Sequence, residues 1–127
     1  MTGKKILETE KAAIPGGPYS QAIIHNGLIY LSGQGPIDPQ TNQVVHGTIE
    51  QETGLSIENI RMILEEAGSS LSKVLQVTAY LLTMREYGRF NEVYKRYFPK
   101  DPPARTCIQA ARLPFDIRIE ISVIAYI

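Results

Sequence analysis

Two charged side chains stand inside otherwise apolar runs, and they are the first places to look for chemistry. Arg105 follows Pro102-Pro103-Ala104 and opens an extended segment. Its guanidinium is a planar fork that matches a carboxylate with two parallel charge-assisted hydrogen bonds, although a structural role fits it equally. Glu120 lies between Ile119 and Ile121. A carboxylate there is at an exposed edge position, paired with a cation such as Arg118, or held for acid–base work. Cys107 could act as a nucleophile, yet no motif places His25 or His46 to activate it. A small core residue, or one used for its backbone amide, is the plainer expectation. Tyr19, in Gly16-Gly17-Pro18-Tyr19-Ser20-Gln21, could hydrogen-bond a ligand or anchor its own loop. Ser32-Gly33-Gln34-Gly35-Pro36 follows a predicted strand, where backbone amides can face a ligand or simply turn the chain. His25 and His46 lie beside turns, which predicts solvated rings.

Several chemistries are missing. There is no P-loop, dinucleotide fingerprint, Gly-x-Ser-x-Gly elbow or His-Glu-x-x-His, and Gly33, Gly35 and Gly47 are not spaced as a phosphate cradle. Thirteen Lys+Arg against thirteen Asp+Glu give zero net charge, without the basic surplus of a nucleic-acid binder. A single cysteine excludes an internal disulfide, and two histidines with no Cys-x-x-Cys offer no zinc or cluster site. The N-terminal Met1-Thr2-Gly3-Lys4-Lys5 is basic, but no apolar stretch of signal or membrane-spanning length follows. The expectation is a soluble, reduced, cytoplasmic protein.

The elements that must position these residues follow from pattern and punctuation. With 127 residues, 43% apolar and 20% charged, the chain is sized for one domain over residues 1–127 with its own core. Asn26-Gly27 between Gln21–His25 and Leu28–Ser32 predicts a hairpin with a two-residue turn. Thr48 to Gln51 has the pattern of a capping box. Ile49, Thr53, Ile57, Ile60, Leu64 and Ala67 then form one helical stripe, with Gly68 where a C-cap belongs. Val74–Leu82 is β-branched, apolar and short, which predicts a strand with little exposure. Thr83–Glu86 repeats the capping box, and Tyr87, Phe90, Tyr94 and Tyr97 or Phe98 form a second stripe stopped by Pro99. Covering a sheet is the expected use of those aromatics, ahead of base stacking. Arg105–Arg112 and Ile117–Tyr126 read as closing strands around a turn at Leu113–Asp116. The predicted order is β-β-α-β-α-β-β, with room for a short leading strand near Ile6-Leu7. This is an α+β fold with two helices on one face of a mixed sheet. The other face, expected to carry Ile124, Tyr126 and Cys107, would need a partner, which predicts self-association.

Four motifs in order extend this reading: Gly17-Pro18-Tyr19-Ser20-Gln21-Ala22; Ser32-Gly33-Gln34; Phe90-Asn91-Glu92-Val93-Tyr94; and Pro103-Ala104-Arg105-Thr106-Cys107 running on to Leu113-Pro114 and Ile119-Glu120-Ile121. Along essentially its whole length the chain resembles the reactive-intermediate deaminase family (Rid, also called YjgF). The resemblance implies a chorismate-mutase-like (YjgF-like) fold assembled as a homotrimer, with ligand clefts at subunit interfaces. It also implies hydrolysis of 2-aminoacrylate, its tautomer 2-iminopropanoate, and 2-iminobutanoate to 2-oxo acids and ammonia. Such intermediates are released by pyridoxal-phosphate enzymes, a functional link without required binding; the deaminase itself needs no cofactor or metal. Carried onto this sequence, Arg105 would clamp the substrate carboxylate and Glu120 would hold or deprotonate the attacking water. Tyr19, Ser32, Gly33, Asn91 and the backbone of Cys107 would line the cleft. Gly35 stands where many members have a larger apolar residue, and Thr106 where a smaller one is common; both bear on substrate size. A non-catalytic sensor of small 2-oxo acids would use Arg105 in the same way. An endoribonuclease or translation inhibitor is a weaker rival, given zero net charge and no histidine pair.

Overall fold

In the computed structural model, which describes residues 3–127, a short β1 (Lys5–Leu7) leads into a hairpin of β2 (Ala22–His25) and β3 (Leu28–Leu31). Met1 and Thr2, part of the basic run noted above, lie outside the described residues. Asn26 and Gly27 take φ values of 51° and 77°, the left-handed pair that a two-residue hairpin turn requires. A separate ribbon of β4 (Ile37–Asp38) and β5 (Gln43–Val44) was not expected. Strands of two residues are too short to show alternation.

The first capping box forms. Thr48 Oγ1 accepts from Gln51 N at 3.2 Å, Gln51 Oε1 accepts from Thr48 N at 3.0 Å, and α1 (Ile49–Glu66) follows. β6 (Val74–Leu81) comes next. The second capping box does not form: Thr83 accepts from Arg85 N at 3.2 Å and caps a single 3₁₀ turn, Met84–Glu86. The Glu86 carboxylate is drawn instead to Arg118 at 3.1 Å, and α2 (Tyr87–Tyr97) starts without a side-chain cap. β7 (Ala104–Gln109) and β8 (Ile119–Tyr126) are shorter than the sequence suggests. Both stop where β6 stops, since Leu81 is the register partner of Gln109 on one side and of Ile119 on the other.

The six-stranded sheet runs β1-β2-β3-β8-β6-β7, antiparallel except for the β6–β7 pair. β3 and β6 therefore run parallel, with β8 between them, and α1 is their crossover; α2 is the crossover from β6 to β7. Two crossovers of the same hand, stepping in the same direction, place both helices on the same face. Under them the odd residues of β8 (Ile119, Ile121, Val123 and Ala125) are buried, and Ile57, Ile60, Leu64 and Phe90 close the core from the helices. Each such side chain contributes roughly 1.5–3 kcal/mol of hydrophobic stabilisation. A bidentate contact, Arg89 Nε and Nη2 to the Glu50 carboxylate at 2.9 and 2.7 Å, holds α2 to the start of α1.

The other face has no helix. Ile6, Ile23, Tyr30, Ile124, Tyr126 and Ile108 share it by register, and of these Ile6, Tyr30, Tyr126 and Ile108 are exposed. Two expectations change here. β6 is buried on one side only, with Gln76 exposed and Thr78 and Tyr80 half-buried. Cys107 pairs in register with buried Ala79, so it lies on the helix side rather than the open one.

Candidate active site

The site begins with a defect in the sheet. From Tyr30 to Gln34 the chain advances four residues while its β8 partners, Ile124 and Ile121, advance three. The extra residue makes a bulge at Ser32-Gly33, re-anchored by Gln34 N to Ile121 O at 2.7 Å and Ile121 N to Gln34 O at 2.9 Å. The Glu120 carboxyl packs against this bulge. A Cβ on Gly33 would sit 2.5 Å from Glu120 Oε2 and 2.7 Å from Cδ, so the position must be glycine for the acid to lie there.

Glu120 is half-buried in a strand flanked on both sides, which removes the exposed-edge reading. Arg118 is not its partner. That guanidinium donates to Gly47 O at 2.8 Å and to Glu86 at 3.1 Å, while the Arg118 amide donates to the buried carboxylate of Glu52 at 2.7 Å. Among the described residues no cation faces Glu120, and burial pushes its carboxyl above the ordinary carboxylate value.

Tyr19, Ser32, Gly33 and Glu120 line one cavity of about 600 Å³. Tyr19 anchors its own loop, its hydroxyl accepting from Gly16 N at 3.3 Å, and it also lines the cavity. Ser32 Oγ donates to Ser20 O at 2.6 Å, which fixes the bulge to the preceding loop. Sequence reasoning missed most of the wall, including Ile37, Val44 and Phe115. Phe115 carries φ 58° and is 65% exposed. A bulky residue held left-handed costs on the order of 1–3 kcal/mol, and the Pro114-Phe115-Asp116 turn was the only trace of it in the sequence. His25 and His46 are outside the cavity lining. His25 is half-buried rather than solvated, with its Nδ1 shielded and Nε2 3.1 Å from Asn26 Nδ2. Among the described residues no His, Cys, Asp or Glu cluster could hold a metal ion.

Arg105 and Cys107 lie on β7, the edge strand, and Asn91 lies on α2 between Phe90 and Tyr94, whose rings Arg105 faces. The Arg105 guanidinium carbon lies 4.6 Å from the Tyr94 ring centroid and 5.2 Å from that of Phe90, and Nη2 donates to the Tyr87 hydroxyl at 2.9 Å. Stacking of this kind holds the fork flat without neutralising it. No carboxylate pairs with it among the described residues. On α2, Asn91 Oδ1 is buried without a hydrogen-bond partner among the described residues. Ala110 N donates to Leu81 O at 2.8 Å, and pleat alternation then turns the backbone groups of Cys107 and Arg105 outward, to the free edge. Burial raises the Cys107 thiol, which makes it a poor nucleophile at neutral pH.

The two groups do not meet within one chain. Arg105 pairs in register with Val77, whose side chain faces the helices, while Glu120 pairs with Tyr80 on the open face. Two strand spacings and three residues of rise separate their Cα atoms by about 14 Å, on opposite sides of the sheet. One small acid cannot bridge that gap.

Comparison with known proteins matches the chain to a family. The family model described as "Endoribonuclease L-PSP" matches residues 9–127. A RutC family protein from Pyrococcus abyssi is 49% identical over 123 residues, covering 97% of each chain. The Escherichia coli protein named "Putative reactive intermediate deaminase TdcF" is 36% identical over 125 residues, 96% of each. A crystal structure of E. coli TdcF with bound serine superposes with TM-score 0.92 at 35% identity, covering 97% of this chain and 98% of that one.

Proposed function

The chain belongs to the reactive-intermediate deaminase (Rid, or YjgF) family, and on that premise we propose that it is a hydrolase of C=N bonds. The reading is a 2-iminobutanoate/2-iminopropanoate deaminase, which converts reactive enamine and imine acids to 2-oxo acids and ammonia. One observation carries it: Glu120, a carboxyl with no ion-pair partner among the described residues and a raised pKa, is seated over Gly33 in a cavity. An imine carbon is already electrophilic, so positioning and one proton shuttle are sufficient. Water oxygen bonds to the C=N carbon as its proton passes to Glu120. The nitrogen takes that proton to give a carbinolamine, whose hydroxyl proton then passes by way of Glu120 to the same nitrogen, so the C–N bond breaks and ammonia leaves as the carbonyl forms. Arg105 fixes the carboxylate with two parallel hydrogen bonds.

We assign the two groups to two copies of the chain: Arg105, Asn91 and the Cys107 backbone from one, and Tyr19, Ser32, Gly33 and Glu120 from the next. The apolar helix-free face supports self-association, and a contact between unlike surfaces closes readily as a three-fold ring, the homotrimer. Mixing two inactive variants tests the assignment. Arg105→Ala and Glu120→Ala, each dead alone, should regain about a quarter of wild-type activity after equimolar co-refolding, because one cleft in four then receives both intact groups. No recovery in the mixture would sink the assignment to two copies. The description of the matched family model supports a second reading, RNA cleavage. Zero net charge and the absence of both histidines from the cavity lining count against it.

A further inference from the structure

The cavity around Glu120 is larger and more apolar than the smallest imino acids require. Within one copy it holds about 600 Å³, before Arg105 of the next copy is brought to it. The six non-hydrogen atoms of 2-iminopropanoate fill about 180 Å³, even at the ~30 Å³ that a water molecule takes in the liquid. Beyond the carboxyl its walls are Ile14, Ile37, Val44, Pro114, Phe115 and Ile117. Its polar side chains are few and partly engaged: Ser32 Oγ donates to Ser20 O at 2.6 Å, Asn42 Oδ1 accepts from Ile14 N at 3.1 Å, and the Tyr19 hydroxyl accepts from Gly16 N at 3.3 Å. Among the described residues of one copy no Lys, Arg or His lines it, and the Arg105 fork brought in from the next copy is taken by the substrate's own carboxylate, so a second carboxylate would find no free cation beside Glu120. What the walls offer is burial for hydrocarbon.

Gly35 creates part of that room. Its backbone is not left-handed, so a side chain would be conformationally acceptable; space is what forbids one, since a Cβ would lie 2.8 Å from Ile117 Cδ1. We propose that the substrate side chain occupies this apolar pouch and is a branched aliphatic or aromatic group, so imines of leucine and phenylalanine are hydrolysed ahead of the three-carbon imine. The inference rests on the deaminase reading and names the side chain that reading leaves open. With the C=N carbon at Glu120, the side chain is the part of the molecule that meets these walls.

The test uses imines made in situ by an amino-acid oxidase with catalase present, their decay followed by semicarbazide trapping with and without the protein. Alanine, leucine, phenylalanine and aspartate are the starting amino acids. The wild type should show kcat/KM at least about tenfold higher for the leucine or phenylalanine imine than for the alanine imine, given the discrimination one methylene gives in an apolar pocket. The aspartate imine should do no better than the alanine imine. Two narrowing variants, Gly35→Val and Ile14→Trp, should reverse the order. Ile14 is 45% exposed, so the second variant adds little buried volume and keeps the test open should the first fail to fold. Wild-type rates that fall steadily from the alanine to the leucine imine would overturn the side-chain assignment and leave the reaction class standing. No acceleration of any imine would remove both.

Discussion

Adding one methyl group at Gly33 probes the link between the bulge and the acid. The new Cβ would stand 2.5 Å from Glu120 Oε2, where ordinary contact begins at 3.4 Å, so the carboxylate must retreat by about 0.9 Å. The group that yields is the end of a flexible, half-buried side chain, so Gly33→Ala should lower folding stability by less than about 1 kcal/mol. Chemistry is less forgiving. Misplacing a catalytic group by about 1 Å costs on the order of 10²-fold, equivalent to about 2.7 kcal/mol of transition-state stabilisation. A second signature separates displacement from general damage. Burial holds the Glu120 pKa above its ordinary value of 4.5, so activity that needs the carboxylate should rise as pH climbs through that raised value. Pushed toward water, the acid regains solvation and its pKa falls back, so the rising limb should move to lower pH in the variant. The assay is imine decay in a coupled oxidase system across a pH series, beside a denaturant melt. A variant within threefold of wild-type kcat/KM, with an unmoved pH limb, would show that the contact between Gly33 and Glu120 has no part in turnover.

Two further substitutions test the supports. Arg105→Lys keeps the charge but loses both the fork and the flat stacking 4.6 Å above Tyr94. It should reduce kcat/KM by about 10²-fold or more with an unchanged melt, and wild-type turnover in that variant would rule out bidentate clamping. Glu52→Ala strips the acceptor from two amides, Gly47 N at 3.0 Å and Arg118 N at 2.7 Å, in a position that is 1% exposed. Leaving two shielded donors unsatisfied should cost about 4 kcal/mol in urea titration, and Glu52→Gln about half, since one amide oxygen can still accept. A loss under 1 kcal/mol for the alanine variant would mean that water replaces the carboxylate.

Two candidate site residues stood out because their chemistry contradicts their surroundings, while the roles given to them, and Asn91 altogether, came from the family resemblance. A glutamate between two isoleucines and an arginine opening a strand are visible without coordinates. The same holds for the Asn26-Gly27 turn and the stripe of α1, which are local in cause: positive φ and a 3.6-residue period. The second capping box failed because the Glu86 carboxylate had a better offer across the fold, from Arg118. β7 and β8 were overrun because a strand ends where its partner ends, and Leu81 is not local to either. The bulge at Ser32-Gly33, the seat it makes for Glu120 and the outward edge of Cys107 are likewise matters of register. The sequence alone determined which residues are chemically unusual and which segments are helical or extended. Tertiary structure decided which face each residue takes, and so that Arg105 and Glu120 stand on opposite sides of one sheet. Facing depends on pairing between distant strands, where a slip of one residue reverses every side chain.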